Sequence, residues 1–257
     1  MKVQDSIAIV TGGNRGIGEG FVHALIAAGA AKVYVGTRTV TAADHLVAAY
    51  PGKAVAIALD VTDEAQVQAA AAACPDTQIV VNNAGAFNNT LLIGAPDMTA
   101  ARHEMDVNYF GTLAMCRAFA PVLGRNGGGS IINVLSVGGI LAIPNMGGYS
   151  PSKFAAHALT TIVRAELAAQ GTHVGCLIVG SVDTRMASHV KGAKEDPADI
   201  GRAGVAAIEK NIKEMDTDHF AVTMRAAMHR DAATLEKRMA MMLGAAELST
   251  DKVARKK

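Results

Sequence analysis

No apolar run in this 257-residue chain approaches the roughly 20 residues that a bilayer-spanning helix needs. A membrane-spanning segment is therefore not expected. An excess of either charge is also missing: 24 Lys and Arg stand against 23 Asp and Glu, for a net charge of +1. That removes any global electrostatic case for a nucleic acid or an acidic surface as partner. Cysteine is scarce. Cys74, Cys116 and Cys176 are scattered, with no CxxC and no histidine pair at metal-ligand spacing. They read as reduced core thiols, and no metal site is expected. No internal repeat is visible, and Ile7-Ala-Ile-Val10 is reached without a signal-peptide pattern, so a cytoplasmic location is expected. What the chain does have is apolar content. Half its residues are hydrophobic, enough for a sizeable core at this length. One α/β domain over residues 1–257 is the reading.

Short β-branched apolar runs recur at residues 6–10, 32–36, 55–59, 79–81, 130–135 and 173–179. Each reads as a buried strand. Between them lie helical stretches: from the first glycine turn to about 28, 42–50, one starting near Asp63, and 97–123. Asp63 or Thr62 is the N-cap of the third. A further helix runs over 149–169. Strands alternating with helices imply a doubly wound parallel sheet, Rossmann-like, with helices on both faces. Residues 186–200 are polar and irregular, material for a lid. Residues 203–248 read as helical, and residues 249–257 as a basic, solvated tail.

The first strand runs into Thr11-Gly-Gly-Asn-Arg-Gly-Ile-Gly18 and then a helix. Glycines there let backbone amides approach a pyrophosphate at the helix N-terminus. The spacing is Gly12-x-x-x-Gly16-x-Gly18, not GxGxxG, and a plain tight turn is the alternative. Where an NAD-preferring fold places an acidic residue, this chain has Thr37-Arg38-Thr39. A guanidinium pairs with a 2′-phosphate, and Arg15 can approach the same group. Both point to NADP(H), against the alternative of two surface arginines.

The last cluster is Ser136, Tyr149 and Lys153. Tyr149 and Lys153 share a helix face at i and i+4, and Ser136 at a strand end can approach it. A phenol titrates near pH 10, too high for a neutral-pH proton shuttle, and a nearby ammonium lowers it. A serine hydroxyl can hold a substrate oxygen. A solvated Tyr and Lys on an amphipathic helix is the alternative, yet of four tyrosines only Tyr149 has lysine at i+4. Asn108 sits inside a long helix, where its amide competes with backbone bonds. It either bends the helix and binds a water or faces solvent.

With Thr11 to Gly18, Asp60-Val61, Asn82-Asn83-Ala84-Gly85, Asn108, Ser136, Tyr149 and Lys153 in this order, the chain resembles the short-chain dehydrogenase/reductase family over residues 6 to about 186. The resemblance implies Tyr149 as general acid/base. Lys153 would bind the nicotinamide ribose and lower the tyrosine pKa, Ser136 would hold the substrate oxygen, and Asn108 would keep a relay water. It implies dinucleotide contacts at Gly12, Asn14, Arg15, Gly16, Ile17, Gly18, Asp60, Val61, Asn83, Ala84, Gly85, Val182 and Thr184. Arg38 and Thr39 would face the 2′-phosphate, as in NADP-preferring members.

Three features depart from the family pattern. Val179-Gly180 stands where Pro-Gly is common, the segment from Asp63 to Ile79 is short, and the last strand ending in Asp-Gly-Gly is missing. A tetramer through that strand is thereby in doubt, and a homodimer through the helices at 97–124 and 149–169 is the analogy that remains. Val137, Ile140, Leu141, Ile143, Met146, Phe87 and Leu91 suggest an apolar mouth without a charged anchor. The expected reaction is NADP(H)-dependent hydride transfer to an uncharged, fairly hydrophobic ketone or aldehyde, or from the corresponding secondary alcohol. A non-catalytic dinucleotide-binding regulator on the same fold is the competing reading, and epimerase or dehydratase chemistry goes with longer relatives. Six of twelve methionines fall between Met215 and Met242. Met228, Leu235, Met239 and Met242 share a helix face, for core packing or for a substrate or subunit wall.

Overall fold

The computed structural model describes residues 1–254, and the side chains of all of these but 242 and 244–254. Seven parallel strands form one sheet: β1 (Ile7–Thr11), β2 (Lys32–Thr37), β3 (Ala54–Ala58), β4 (Ile79–Asn82), β5 (Gly129–Val134), β6 (Thr172–Ile178) and β7 (Glu214–Asp216). Their order is β3-β2-β1-β4-β5-β6-β7, so the strand order reverses between β1 and β4. In such sheets the crevice beyond the strands' carboxyl ends at the reversal is where ligands bind.

Successive residues of a strand face opposite sides of the sheet. In β4, Ile79 and Val81 therefore enter one core with Val10, Val33 and Val35, while Val80 enters the other with Ile9 and Ile131. Helices α1 (Gly16–Ala27), α2 (Asp44–Ala49) and α7 (Pro197–Glu209) cover the first face. The second is covered by α3 (Glu64–Ala73), α5 (Thr112–Arg125) and α6 (Tyr149–Glu166). Asp63 is the cap of α3, its carboxylate accepting from the amides of Ala65 and Gln66. No helix among the described residues is long and apolar enough to cross a membrane.

Four sequence expectations need correction. The helical reading of 203–248 is interrupted by β7, which pairs Cys176 with Glu214 and Ile178 with Asp216. A short last strand is thus present, although Glu-Met-Asp carries no strand-like pattern. The irregular segment ends at Asp196, whose side chain caps α7 ahead of Pro197, and a parallel bridge between Val182 and Glu195 ties it down. The long helix is α4 (Thr99–Met105) joined to α5 by a π-helical segment, Asp106–Gly111, that contains Asn108.

The fourth correction concerns the mouth. Val137, Ile140, Leu141 and Ile143 are 2–9% exposed and form core beneath α8 (His219–Ala254). Met224, Met228, Leu235 and Met239 of α8 cover this loop, which makes them packing residues of the segment behind Ser136. The side chains of Met242 and of the basic end lie outside the described residues.

Candidate functional site

The glycine turn is built as a cradle. Gly12 and Gly16 hold φ of +60° and +55°, a left-handed backbone that favours glycine. A Cβ on Gly18 would collide with the Gly12 carbonyl and stand 2.6 Å from Asn83 Nδ2. Arg15 is the N-cap residue of α1 and supplies no side-chain cap. The first amides of that helix have no side-chain cap, and the helix dipole favours an anion there. The Gly13 amide donates to Gly36 O at 3.1 Å, so the turn lies against the end of β2, next to Arg38. Arg15, Arg38 and Thr39 are exposed, and neither arginine has an ion pair among the described residues. These features fit a phosphorylated dinucleotide.

Asn83 and Thr11 lock the next strand end to this turn. Asn83 Nδ2 donates to Thr11 O at 2.9 Å and Gly12 O at 3.2 Å. The amides of Asn83 and Ala84 both donate to Thr11 Oγ1, at 3.0 and 2.9 Å. The sequence reading did not give Thr11 this part, although it opens the glycine turn at the end of the first strand. Asp60 accepts from the amide and hydroxyl of Thr62 through Oδ1, 3.0 and 2.7 Å, while Val61 is buried. Thr184 reaches the turn from the loop after β6, its Cγ2 lying 3.1 Å from a Cβ built on Gly16. Val182 is buried, Ile17 packs on the core, and Asn14 is half-buried.

The second cluster gathers where β4 and β5 end. A Cβ built on Gly85 would stand 3.3 Å from Asn108 Oδ1 and 3.8 Å from Lys153 Nζ. One built on Gly138 would stand 3.5 Å from Tyr149 Cε1 and 3.6 Å from Ser136 Oγ. Lys153 is 6% exposed and donates to Val134 O at 3.0 Å, with its Nζ 5.7 Å from the Tyr149 ring centroid. Ser136 Oγ accepts from the Gly138 amide at 3.1 Å, which leaves its own hydrogen free to donate. Asn108 is 1% exposed; Nδ2 donates to Ala86 O and Ser152 Oγ, and Oδ1 accepts from the Ala86 amide, each at 2.9 Å. Both amide hydrogens are engaged, so the side chain anchors the Ala86 loop, while Oδ1 accepts one bond and keeps a second lone pair.

Burial pushes the Tyr149 phenol above its ordinary pKa, the Ser136 hydroxyl opposes this, and the charge of Glu104 adds to it. Burial also pulls Lys153 down to about 8. Desolvation is the largest influence on the phenol in this arrangement, and the Ser136 hydroxyl is what lowers it. Phe87 lies edge-on to Tyr149 at 5.1 Å between centroids and also meets His189 at 5.3 Å. Away from this site, His157, Cys176 and Glu214 bring potential ligand atoms within 4.8 Å of one another. Arg225 already pairs with Glu214 and Asp216, and its positive charge makes the cluster an ion-pair network rather than a cation site.

The family profile described as short chain dehydrogenase matches residues 6–195. A 2,5-dichloro-2,5-cyclohexadiene-1,4-diol dehydrogenase of Sphingobium indicum is 36% identical over 186 residues, covering 69% of this chain and 73% of the relative. A 3-alpha-(or 20-beta)-hydroxysteroid dehydrogenase of Mycobacterium tuberculosis is 34% identical over 191 residues, covering 72% of each. Among solved structures, a short chain dehydrogenase from Burkholderia cenocepacia in complex with NADP aligns with a TM-score of 0.88 at 38% identity. That alignment covers 93% of this chain and 99% of the other.

Proposed function

The chain belongs to the short-chain dehydrogenase family of oxidoreductases, and from that premise we propose an NADP(H)-dependent carbonyl reductase, reversible as a secondary-alcohol dehydrogenase. The observation that carries the reading is the convergence of Ser136 and Tyr149 on Gly138, with Lys153 beside Gly85, next to an uncapped glycine cradle. When bound, the nicotinamide supplies or accepts the hydride. The Tyr149 hydroxyl donates its proton to the substrate oxygen in reduction and recovers it in oxidation. A phenol with an ordinary pKa near 10 already carries that proton at neutral pH. Ser136 donates to the same oxygen and orients it. Lys153, bonded once to Val134 O, keeps two hydrogens with which it would hold the ribose hydroxyls. Asn108 holds the Ala86 segment, which would border the bound cofactor.

An uncharged, fairly hydrophobic ketone or aldehyde suits the surroundings. Leu91, Leu92, Ile93 and Met186 expose apolar side chains on the two loops that meet around Phe87 and His189. Exposed Arg15 and Arg38 favour the 2′-phosphate, and the relative from Burkholderia cenocepacia was solved with NADP. The test is NADPH oxidation across a panel of apolar ketones and aldehydes, with Tyr149→Phe alongside. Loss of the acid should lower turnover by about 10²–10⁴-fold. Turnover within a few-fold of the parent would exclude Tyr149 as the acid. Tight NADPH binding without turnover of any carbonyl would favour a dinucleotide-binding regulator.

The assembly proposed is a homodimer. A groove of about 670 Å³ runs between α5 and α6, lined by Tyr109, Leu113, Pro121, Leu159 and Ile162. Phe154 and Ile162 of α6 are 40% and 58% exposed beside it, and a second copy would cover them. Sedimentation should give twice the chain mass, and a monomer at micromolar concentration would refute the pairing.

A further inference from the structure

Glu104 sits on α4, one turn before Asn108, and is 1% exposed. Its Oε1 accepts from the Asn88 amide at 2.7 Å. Its Oε2 is buried with no hydrogen-bond partner among the described residues. That oxygen lies against Gly148, where an added Cβ would fall 2.7 Å from it. Gly148 is the residue before Tyr149, which starts α6. On its other side, the bond to Asn88 holds the residue after Phe87, whose ring packs edge-on to the tyrosine. An unpartnered buried carboxyl costs stability that an apolar side chain here would not. Packing alone does not account for it.

We propose that Glu104 is a positioning residue for Tyr149: one oxygen fixes the Phe87–Asn88 segment against the phenol ring, and the other places negative charge against Gly148, where the tyrosine's helix begins, and so disfavours loss of the phenol proton. The assignment rests on Tyr149 being the acid/base. The other charged or titratable groups facing the phenol are Lys153 on α6 and His189, which reaches it through Phe87. His103 neighbours Glu104 on α4. Burial raises the carboxyl of Glu104 above its ordinary value, while the Asn88 amide and His103 oppose this. Removing its charge makes the phenolate easier to form, so the tyrosine pKa falls.

The experiment is the pH dependence of kcat for carbonyl reduction in the parent and in Glu104→Gln, which keeps the acceptor for Asn88 and the side-chain shape. The high-pH limb, where Tyr149 loses its proton, should move down by about one pH unit. Ultraviolet phenolate titration of each protein against its Tyr149→Phe counterpart should show the same shift without substrate. Glu104→Asp, which keeps the charge, should bring the limb back towards the parent. If the Gln protein does not fold, Glu104→Met makes the same test of the charge. A limb and a titration that stay put or move upward, with Tyr149→Phe inactive, overturn the role of Glu104. An active Tyr149→Phe overturns the acid/base reading instead.

Discussion

Replacing Arg38 by aspartate tests the cofactor reading on a single charge. Arg38 follows β2, and the Gly13–Gly36 hydrogen bond brings that strand end against the turn carrying Arg15. A desolvated arginine–phosphate pair contributes about 3 kcal/mol, an exposed one about 1 kcal/mol or less. Both guanidinia are exposed here, so together they contribute roughly 2 kcal/mol, a preference for NADPH over NADH of about 30-fold. Arg38→Asp removes one attraction and adds a repulsion of similar size, which should weaken NADPH about 30-fold. NADH carries a hydroxyl at that position and should bind as well as before or better. The preference should then vanish or reverse. The assay is fluorescence titration of both dinucleotides at low and high salt. The Debye length shortens from about 10 Å at 0.1 M to about 3 Å at 1 M, so the parent's preference should shrink with salt. Equal affinities in the parent, or a preference that ignores both the substitution and the salt, would refute the reasoning.

Gly18→Ala drives a Cβ into the Gly12 carbonyl and to 2.6 Å from Asn83 Nδ2. It should destabilise the fold by about 2–3 kcal/mol and weaken both dinucleotides together, read by thermal melts and the same titration. Equal stability with parental affinity would show that the cradle has room for a methyl group. Glu214 is held down at about 2, first by its bond to His157 and then by the charges of His157 and Arg225. A depressed carboxyl contributes stability that is present above its unfolded pKa, near 4.5, and lost as pH falls through about 2. The group is partly solvated, so Glu214→Gln should cost about 1–2 kcal/mol at pH 7, with the gap closing towards pH 2 in denaturant melts. A gap that does not change with pH would assign the loss to packing.

The readings that held on structural grounds rest on short-range physics. Apolar β-branched runs such as 79–81 are strands because burial on both faces tolerates little else. The glycine turn needs left-handed backbone at Gly12 and Gly16, which few other residues adopt. Tyr149 and Lys153 share a face through helical spacing alone. Asp63 was recognisable as a cap because capping is local.

What the sequence could not determine depends on neighbours distant in the chain. Glu-Met-Asp at 214–216 is a strand because β6 offers an open edge, not because of its own pattern. Val137, Ile140, Leu141 and Ile143 looked like a substrate mouth until α8, about ninety residues on, was seen to cover them. Glu104 carries a charge, and a charge in a helix reads as surface. Only the approach of Gly148 and Asn88 puts it inside. The phenol's acidity follows the same rule. Spacing determines that a lysine lies near Tyr149, but its pKa is the sum of desolvation, the Ser136 hydroxyl and the Glu104 charge. The sequence by itself determined which polar groups stand at the strand ends and on the first turns of the helices, because each position is set by local backbone geometry. Only the tertiary structure decided their electrostatics, because desolvation comes from every atom that excludes water around them.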